Sequence, residues 1–112
     1  MYTYKALVTS VYDADTFRCD IDLGFGVIFK NQSIRMSGIN APEIKGGTNA
    51  EGIKSRDALR SKILNKEIIL TTQKDNREKF GRYLGIVTVT DENINDWLVK
   101  NKFAVVYGKD NT

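Results

Sequence analysis

Three short stretches of the sequence carry side chains that can hold a cation, bind a phosphate or move a proton. The first is Asp13-Ala14-Asp15-Thr16, in which two carboxylates lie two residues apart. The second joins Arg35 to Asn40-Ala41-Pro42-Glu43, and the third is Phe80-Gly81-Arg82. Carboxylate and carbonyl oxygens suit hard cations such as Ca²⁺. Guanidinium groups bind phosphate with two parallel hydrogen bonds, and a free carboxylate can take a proton from water.

Each stretch alone also has a purely structural interpretation. The Asp-x-Asp pair is typical of a turn held by side-chain hydrogen bonds, a loop glutamate such as Glu43 is usually solvated, and Arg82 can pair at the surface with Asp75 or Glu78. Taken together, the three stretches describe a cation pocket, two phosphate-binding groups and one proton acceptor. That combination suits hydrolysis of a phosphodiester bond.

Composition narrows the possible chemistry. The chain has 112 residues, no histidine and a single cysteine, Cys19. This excludes histidine-dependent nucleophiles, histidine-ligated zinc and an internal disulfide. The length predicts one domain, spanning residues 1–112. The net charge is +3, and residues 43–82 hold ten bases against six acids, which indicates a mildly basic face suited to a phosphate backbone.

Apolar patterning gives no sign of a membrane protein. No apolar run approaches the roughly 20 residues that a spanning helix needs, and the start of the chain lacks the features of a secretory leader. We therefore expect no membrane partner, and an intracellular location unless the sequence is that of a mature form. A monomer is also expected, although no pattern in the sequence indicates the oligomeric state.

The order of predicted elements is β-β-β-α-β-β-α. Strand 16–23 is the clearest, because Phe17, Cys19, Ile21 and Leu23 alternate with polar residues. Five strands with a helix after the third predict an α+β fold that is mainly β, a five-stranded OB-fold Greek-key barrel with two to three helices. The predicted strands cover 4–11, 16–23, 27–36, 67–73 and 82–90, the helices cover 50–64 and 92–101, and 103–107 form an apolar tail.

The two helices differ in the quality of their patterns. In helix 50–64, Gly52 and Arg60 interrupt the apolar stripe. The four residues assigned to that stripe are Ile53, Leu59, Ile63 and Leu64. In helix 92–101 the apolar residues recur at helical spacing, and Asp91 or Asn93 is the expected N-cap.

Three motifs in the same order resemble the staphylococcal (micrococcal, thermonuclease-type) nuclease family. They are Val11-Tyr-Asp-Ala-Asp-Thr16, Ile34-Arg-Met-Ser-Gly-Ile-Asn-Ala-Pro-Glu43 and Glu78-Lys-Phe-Gly-Arg82. The resemblance extends over about residues 5–107. It implies a five-stranded OB barrel with helices, in agreement with the pattern of elements.

The resemblance implies a calcium site. Asp15 matches the principal Ca²⁺-ligating aspartate, and the backbone carbonyl of Ala41 matches a further contact to the metal. Asp13 and Thr16 take supporting positions. Asn40 stands where the family usually has a second aspartate, so one negative charge is lost and a weaker metal site with reduced activity is expected.

The resemblance also implies catalytic roles. Glu43 matches the general base that activates water, and Arg35 and Arg82 match the arginines that bind the scissile phosphate. Tyr83 or Tyr107 is the candidate for packing on a base or sugar.

Two further functions stand beside the enzyme hypothesis. The first hypothesis is a calcium-dependent nuclease for DNA, RNA or both, acting on single-stranded or unpaired regions. The alternative is a catalytically weak OB-fold module that binds single strands through basic residues and aromatics such as Phe80 and Tyr83. A structural or inhibitory protein that uses the barrel only as a scaffold is the third.

Overall fold

A barrel of five strands dominates the computed structural model, which describes residues 1–42, 49–72 and 80–107. In those residues we find eight strands, three of them only two residues long, and two helices. In chain order they are β1 (Tyr2–Asp13), β2 (Thr16–Asp22), β3 (Ile28–Met36), β4 (Ile39–Asn40), α1 (Ala50–Ile63), β5 (Glu67–Thr72), β6 (Tyr83–Val89), β7 (Glu92–Asn93), α2 (Ile94–Lys100) and β8 (Val105–Val106).

The barrel closes through a parallel pairing between β3 and β6. The strands follow the order β3-β2-β1-β5-β6-β7, and all neighbours in this order are antiparallel. Ile34, Arg35 and Met36 then pair with residues 83–85, which joins the two ends of the sheet. The predicted α+β OB-fold barrel is confirmed, and the two-residue strands β4, β7 and β8 are additions that the sequence pattern did not indicate.

The core lies inside the barrel, where alternate residues of each strand point. On β2 the predicted alternation holds, since Phe17, Cys19 and Ile21 are buried. Leu23 follows the end of that strand and is 43% exposed at the rim of the barrel. Gly85 marks a close approach, because a Cβ there would lie 2.5 Å from the side chain of Leu70.

Helix α1 packs on β1 with a different stripe from the one predicted. Leu59 and Ile63 are buried as expected, but the stripe continues through two small residues, Gly52 and Ser55. Glycine and serine let the helix backbone approach the barrel closely. Arg60 donates from its guanidinium to the Val11 carbonyl oxygen at 3.2 Å, so it also faces the barrel.

Both helices begin at an asparagine cap. The Asn49 side chain accepts from the Gly52 backbone N–H, and the Asn93 side chain accepts from that of Asp96. Of the two predicted caps for α2, Asn93 is therefore the one used. Within the described residues neither helix has the length and apolar character needed to cross a membrane.

The burial of Cys19 gives the first prediction. Burial, with a smaller contribution from the Asp20 carboxylate, raises the pKa of the Cys19 thiol to about 12, and the residue has no exposed surface. Because the thiolate is the reactive form, the native protein should react with a thiol reagent only as fast as it unfolds. Full reaction is expected in denaturant, and Ser10→Cys, at an exposed position on β1, supplies a control that reacts at once. Rapid labelling of Cys19 in the native protein would contradict its burial inside the barrel.

Candidate active site

The Asp15 carboxylate is the centre of the site. Asp15 is the second residue of the turn between β1 and β2 and is only 6% exposed. One carboxylate oxygen, Oδ1, accepts from the Thr16 hydroxyl at 3.0 Å. The other, Oδ2, accepts from the Ala41 backbone N–H at 2.8 Å. The Ala41 bond joins the first predicted stretch to the second, 26 residues later in the chain.

Arg35 lies beside this carboxylate. Its guanidinium nitrogen is 3.6 Å from Asp15 Oδ2, and the same nitrogen donates to the Met36 carbonyl at 2.8 Å. Arg35 is 7% exposed although its two neighbours on β3 are core residues. The sequence placed it opposite the core, and the structure shows that this opposite face is itself buried. A charge in such a place needs a partner, and Asp15 provides it.

Arg82 brings the third stretch to the same place. A guanidinium nitrogen of Arg82 lies 3.4 Å from the Thr16 hydroxyl oxygen, the group that also bonds Asp15. The guanidinium carbon is 5.3 Å from the centre of the Phe80 ring, a cation–π contact. Gly81 between them has φ +81°, a conformation that favours glycine. The two arginines thus approach Asp15 from β3 and from the start of β6.

Asp13 adds a second buried carboxyl group. It is 6% exposed, and one of its oxygens accepts from the Asp15 backbone N–H at 3.1 Å. Burial is the largest of three causes that together raise the pKa of Asp13 to about 7, the others being a side-chain hydrogen bond with Asp15 and repulsion from that carboxylate. Two carboxyl groups in contact in a buried place are an environment that a cation would stabilise.

The oxygens near Asp15 fit a hard cation better than a transition metal. Among residues 1–42, 49–72 and 80–107 no group of three or more His, Cys, Asp or Glu side chains is placed to hold a metal. A cation here would need amide or backbone oxygens beside the two carboxylates. Ala41 is bonded to Asp15 through its N–H, and Asn40 precedes it in the chain as an exposed residue of β4. A donor set of carboxylate, amide and backbone oxygens would suit Ca²⁺ rather than Zn²⁺.

Four of the predicted site residues, Asn40 among them, are not placed around Asp15 by the contacts described. Glu43 lies outside the described residues, and its role as general base stays a prediction. The Tyr83 ring faces Phe29, with ring centres 6.4 Å apart, and lines a pocket at the barrel end. Tyr107 is 40% exposed, and its backbone N–H donates to the Gly38 carbonyl. The suggested contacts of Tyr83 and Tyr107 with substrate also stay predictions.

Asn95 supports the site and was not predicted from the sequence. This buried residue of α2 accepts from the Val87 N–H at 3.0 Å and donates to the Ser37 carbonyl at 2.9 Å. It therefore ties β6 to the end of β3, directly after the strand that carries Arg35. The sequence offers no signal for it, because an asparagine in the first turn of a helix is commonly solvated.

The fold and this site define a class of protein, an OB-fold barrel with two arginines converging on a buried aspartate. A family model described as "Staphylococcal nuclease homologue" matches residues 33–112. A protein named "Thermonuclease" from Staphylococcus hyicus is 31% identical over 105 residues, which is 91% of this chain and 57% of that protein. The chain belongs to the family of staphylococcal nuclease homologues. It spans little more than half the length of this relative.

The family match and the site overlap only in part. The matched residues include Arg35, Glu43 and Arg82, whereas Asp13 and Asp15 precede them. The link between the two parts of the site therefore comes from the structure, through the Ala41 N–H bond to Asp15.

The raised pKa of Asp13 predicts how stability depends on pH. In the unfolded chain this carboxyl group ionises near 3.8, and in the folded protein near 7. Between those values the folded state holds a proton that the unfolded state has lost, so the free energy of unfolding falls as pH rises from about 4 to about 7. Asp13→Asn removes this pH-dependent fall in the free energy of unfolding. It also keeps a side-chain oxygen that can accept from the Asp15 backbone N–H.

We expect Asp13→Asn to raise the free energy of unfolding by at least about 1 kcal/mol at pH 8 and to change it little at pH 4. Denaturant unfolding in chelator at both pH values measures this. Asp57→Asn, on the exposed side of α1, is the control for loss of one charge. An equal effect of Asp13→Asn at both pH values would rule out a buried carboxyl group that titrates near neutrality.

Proposed function

We propose that this chain is a calcium-dependent nuclease that hydrolyses phosphodiester bonds in DNA, RNA or both. The observation that carries the proposal is the convergence on Asp15, where Arg35 lies 3.6 Å from the carboxylate and Arg82 reaches the adjoining Thr16 hydroxyl. Membership of the nuclease family supports it. The two guanidinium groups of Arg35 and Arg82 suit a substrate that carries negative charge before and during the reaction.

In this proposal Arg35 and Arg82 bind the oxygens of the scissile phosphate. Negative charge on those oxygens grows as water attacks, so a fixed guanidinium stabilises the transition state more than the ground state. Arg35 is already held by Asp15 and by the Met36 carbonyl, and little reorganisation is needed when substrate binds. Its burial strengthens the interaction, because few water molecules screen it.

Asp15, the Asn40 side chain and the Ala41 carbonyl are the groups that would hold Ca²⁺. When bound, the cation polarises the phosphate and positions the attacking water. The Asp15 carboxylate keeps its orientation through the bonds from Thr16 and Ala41. Those same bonds fix the start of the segment that leads to Glu43.

Glu43 is proposed as the general base. Only Pro42 separates it from Ala41, whose backbone N–H is anchored on Asp15. In a chain without histidine a carboxylate is one of the side chains that can serve as base, and it must reach the proton of the attacking water through a hydrogen bond.

Single-stranded or unpaired nucleic acid is the proposed substrate, and the protein is proposed to act as a monomer. The surplus of bases in residues 43–82 would attract the phosphate backbone without reading the sequence of bases.

A binding module without efficient cleavage is the second candidate, and Asn40 is the observation that favours it. An amide oxygen carries no net charge, so calcium affinity falls relative to a site with aspartate at this position. In that case the aromatic ring of Phe80, which is 69% exposed beside Arg82, would still stack on bases.

Cleavage of single-stranded DNA in Ca²⁺ tests the proposed function. We expect the wild-type protein to degrade the strand and to stop when a chelator is added. Glu43→Gln should bind the strand with similar affinity and lose about 10²–10⁴-fold in turnover, the usual contribution of a general base. Gel assays of cleavage and fluorescence anisotropy of binding give the two readouts.

The control for Glu43→Gln is Glu67→Gln, which removes an equal charge at an exposed position of β5. Binding without cleavage by the wild-type protein in ample Ca²⁺ would establish the binding module instead. Unchanged turnover in Glu43→Gln would assign the base to another group.

Residue 40 can be tested by restoring the charge. Asn40→Asp should bind Ca²⁺ several-fold more tightly, because a carboxylate replaces a neutral amide at the metal. Isothermal titration calorimetry measures the affinity directly. Asn65→Asp adds the same charge at an exposed turn between α1 and β5 and should leave the affinity unchanged. Equal affinities for Asn40→Asp and the wild type would show that residue 40 does not ligate the metal.

A further inference from the structure

Asn95 of α2 lies where the parallel pairing between β3 and β6, which we call the seam, comes to an end. The seam joins residues 34–36 to residues 83–85. Its last direct hydrogen bond runs from the Ser37 N–H to the Gly85 carbonyl oxygen at 2.8 Å. Asn95 is 4% exposed, and a buried amide needs partners for its oxygen and its N–H groups.

The Asn95 side-chain amide takes the place of the next hydrogen bond of the seam. In a parallel pair, a residue that donates its N–H to the partner strand accepts from the residue two positions further along that strand. The bond after the one from Ser37 to Gly85 would therefore join the Val87 N–H to the Ser37 carbonyl. Instead, the Val87 N–H donates to Asn95 Oδ1 at 3.0 Å, and Asn95 Nδ2 donates to the Ser37 carbonyl at 2.9 Å. The amide thus lies between the two strands and is bonded to both.

Further contacts keep the amide in this position. Its nitrogen Nδ2 also donates to the Gly85 carbonyl oxygen at 3.3 Å. The start of the helix is fixed to β6, because Asn93 pairs with Thr88. On either side of the amide, Ile94 and Leu98 of α2 have no exposed surface. The amide therefore cannot leave the two strands unless the helix moves with it.

The inserted amide holds Ser37 further from β6 than a direct bond would. A direct hydrogen bond brings the nitrogen and the oxygen to about 2.9 Å, whereas here two hydrogen bonds and the width of an amide lie between them. The chain leaves the seam at this point, since Gly38 has φ +77°, a conformation that favours glycine. Asn95 therefore marks the place where the chain turns away from β3.

The segment that begins at this turn, residues 37–41, returns to the candidate active site. At its start, the Ser37 carbonyl is bonded to Asn95. In its middle, β4 pairs with β8. At its end, the Ala41 N–H donates to Asp15 Oδ2 at 2.8 Å. A shift of the start toward β6 would therefore act on the bond at the end.

Arg35 depends on the same turn. Met36 directly precedes Ser37, and its N–H donates to the Asp15 backbone carbonyl at 2.8 Å. The Met36 carbonyl accepts from the Arg35 guanidinium at 2.8 Å. That carbonyl and the Ser37 N–H belong to one planar peptide group, so a shift of Ser37 also moves the acceptor that orients Arg35.

We propose that Asn95 is a positioning residue, whose amide between β3 and β6 holds residues 37–41 against Asp15. The inference rests on the proposed calcium-dependent nuclease, because the segment carries Asn40 and Ala41, whose oxygens are proposed to hold the cation. Asn95 acts on them through the backbone of the segment.

Asn95→Ala tests the position of the segment. Without the amide, the Val87 N–H should bond the Ser37 carbonyl directly, and the Ala41 N–H should lose its bond to Asp15. We expect the Ala41 amide hydrogen to exchange with solvent about tenfold faster, the equivalent of one hydrogen bond. Hydrogen-exchange NMR in chelator measures this rate. Couplings across hydrogen bonds identify the acceptor of Val87, which in the wild-type protein should be the Asn95 side chain.

Asn93→Ala is the matched control. It removes an asparagine side chain from the start of the same helix, together with its hydrogen bond from the Asp96 N–H at 3.0 Å. A variant that only lowers stability speeds exchange at Ala41 and at the slowest amides of the barrel alike. The ratio of these two rates should therefore rise in Asn95→Ala and stay unchanged in Asn93→Ala.

Calcium binding and cleavage give a second readout. Asn95→Ala should bind Ca²⁺ about tenfold more weakly in isothermal titration calorimetry, again the equivalent of one hydrogen bond. At saturating Ca²⁺ it should lower kcat for a single-stranded oligonucleotide with little change in KM, since the displaced groups are proposed to act on the transition state. Asn93→Ala should behave as the wild type in both measurements.

The outcomes separate this inference from the proposed function. Three results overturn the positioning role and leave the nuclease proposal in place: a wild-type coupling from Val87 to the Ser37 carbonyl, an unchanged exchange ratio in Asn95→Ala, or equal Ca²⁺ affinity and kcat in Asn95→Ala and Asn93→Ala. The wild-type coupling decides even where Asn95→Ala does not fold. A raised exchange ratio in Asn95→Ala, when the wild type neither binds Ca²⁺ nor cleaves, supports the positioning role and overturns the nuclease proposal.

Discussion

The buried Asp15 carboxylate is the interaction on which the site depends. A carboxylate removed from water must have its charge and its lone pairs satisfied, and here a hydroxyl, a backbone N–H and a guanidinium do so. The hydroxyl belongs to the neighbouring Thr16, whereas the N–H of Ala41 and the guanidinium of Arg35 come from the second stretch of the sequence. Removing one partner of a buried ion pair leaves an uncompensated charge, which typically costs about 3–5 kcal/mol. Asp15 thus holds the fold around it together with the groups proposed to act on a phosphate.

The barrel supplies the rigidity that this arrangement needs. Arg35 lies within the three-residue seam between β3 and β6, and Gly85 of the same seam leaves room for the Leu70 side chain of β5 in the core. Asn95 then bonds both sides of the seam from α2. A guanidinium placed on such a seam has few alternative positions, which is the condition for electrostatic stabilisation without reorganisation.

The sequence predicted the strands and the barrel because their signals are local. Alternation along β2 and the turn residues after it depend on neighbours in the chain. It failed where tertiary contacts decide. Gly52 looked like an interruption of helix α1 and is in fact part of its packing face, and Arg60 reaches back to β1. The pairing of β4 with β8 joins distant residues, and no local pattern marks a strand of two residues.

The same difference between local signals and tertiary contacts decides which parts of the candidate site were predicted. Residue types and spacing identified Asp15, Arg35 and Arg82 as groups for phosphate chemistry, and the structure brings these three together. That Ala41 contributes its N–H to Asp15 could not be read from the sequence, because a backbone donor has no residue type. Asn95 was missed for a related reason, since its importance lies in the carbonyls and N–H groups that surround it.

The parallel seam between β3 and β6 also has a consequence for how the chain folds. The two paired strands, β3 and β6, come from opposite halves of the chain. Bringing them together restricts the segment between them, and this loss of loop entropy precedes the favourable contacts of the seam. Local hairpins such as β1–β2 can form earlier. Arg82 therefore comes to Thr16 only when the last long-range contacts are made, and a nascent or partly folded chain has no assembled centre.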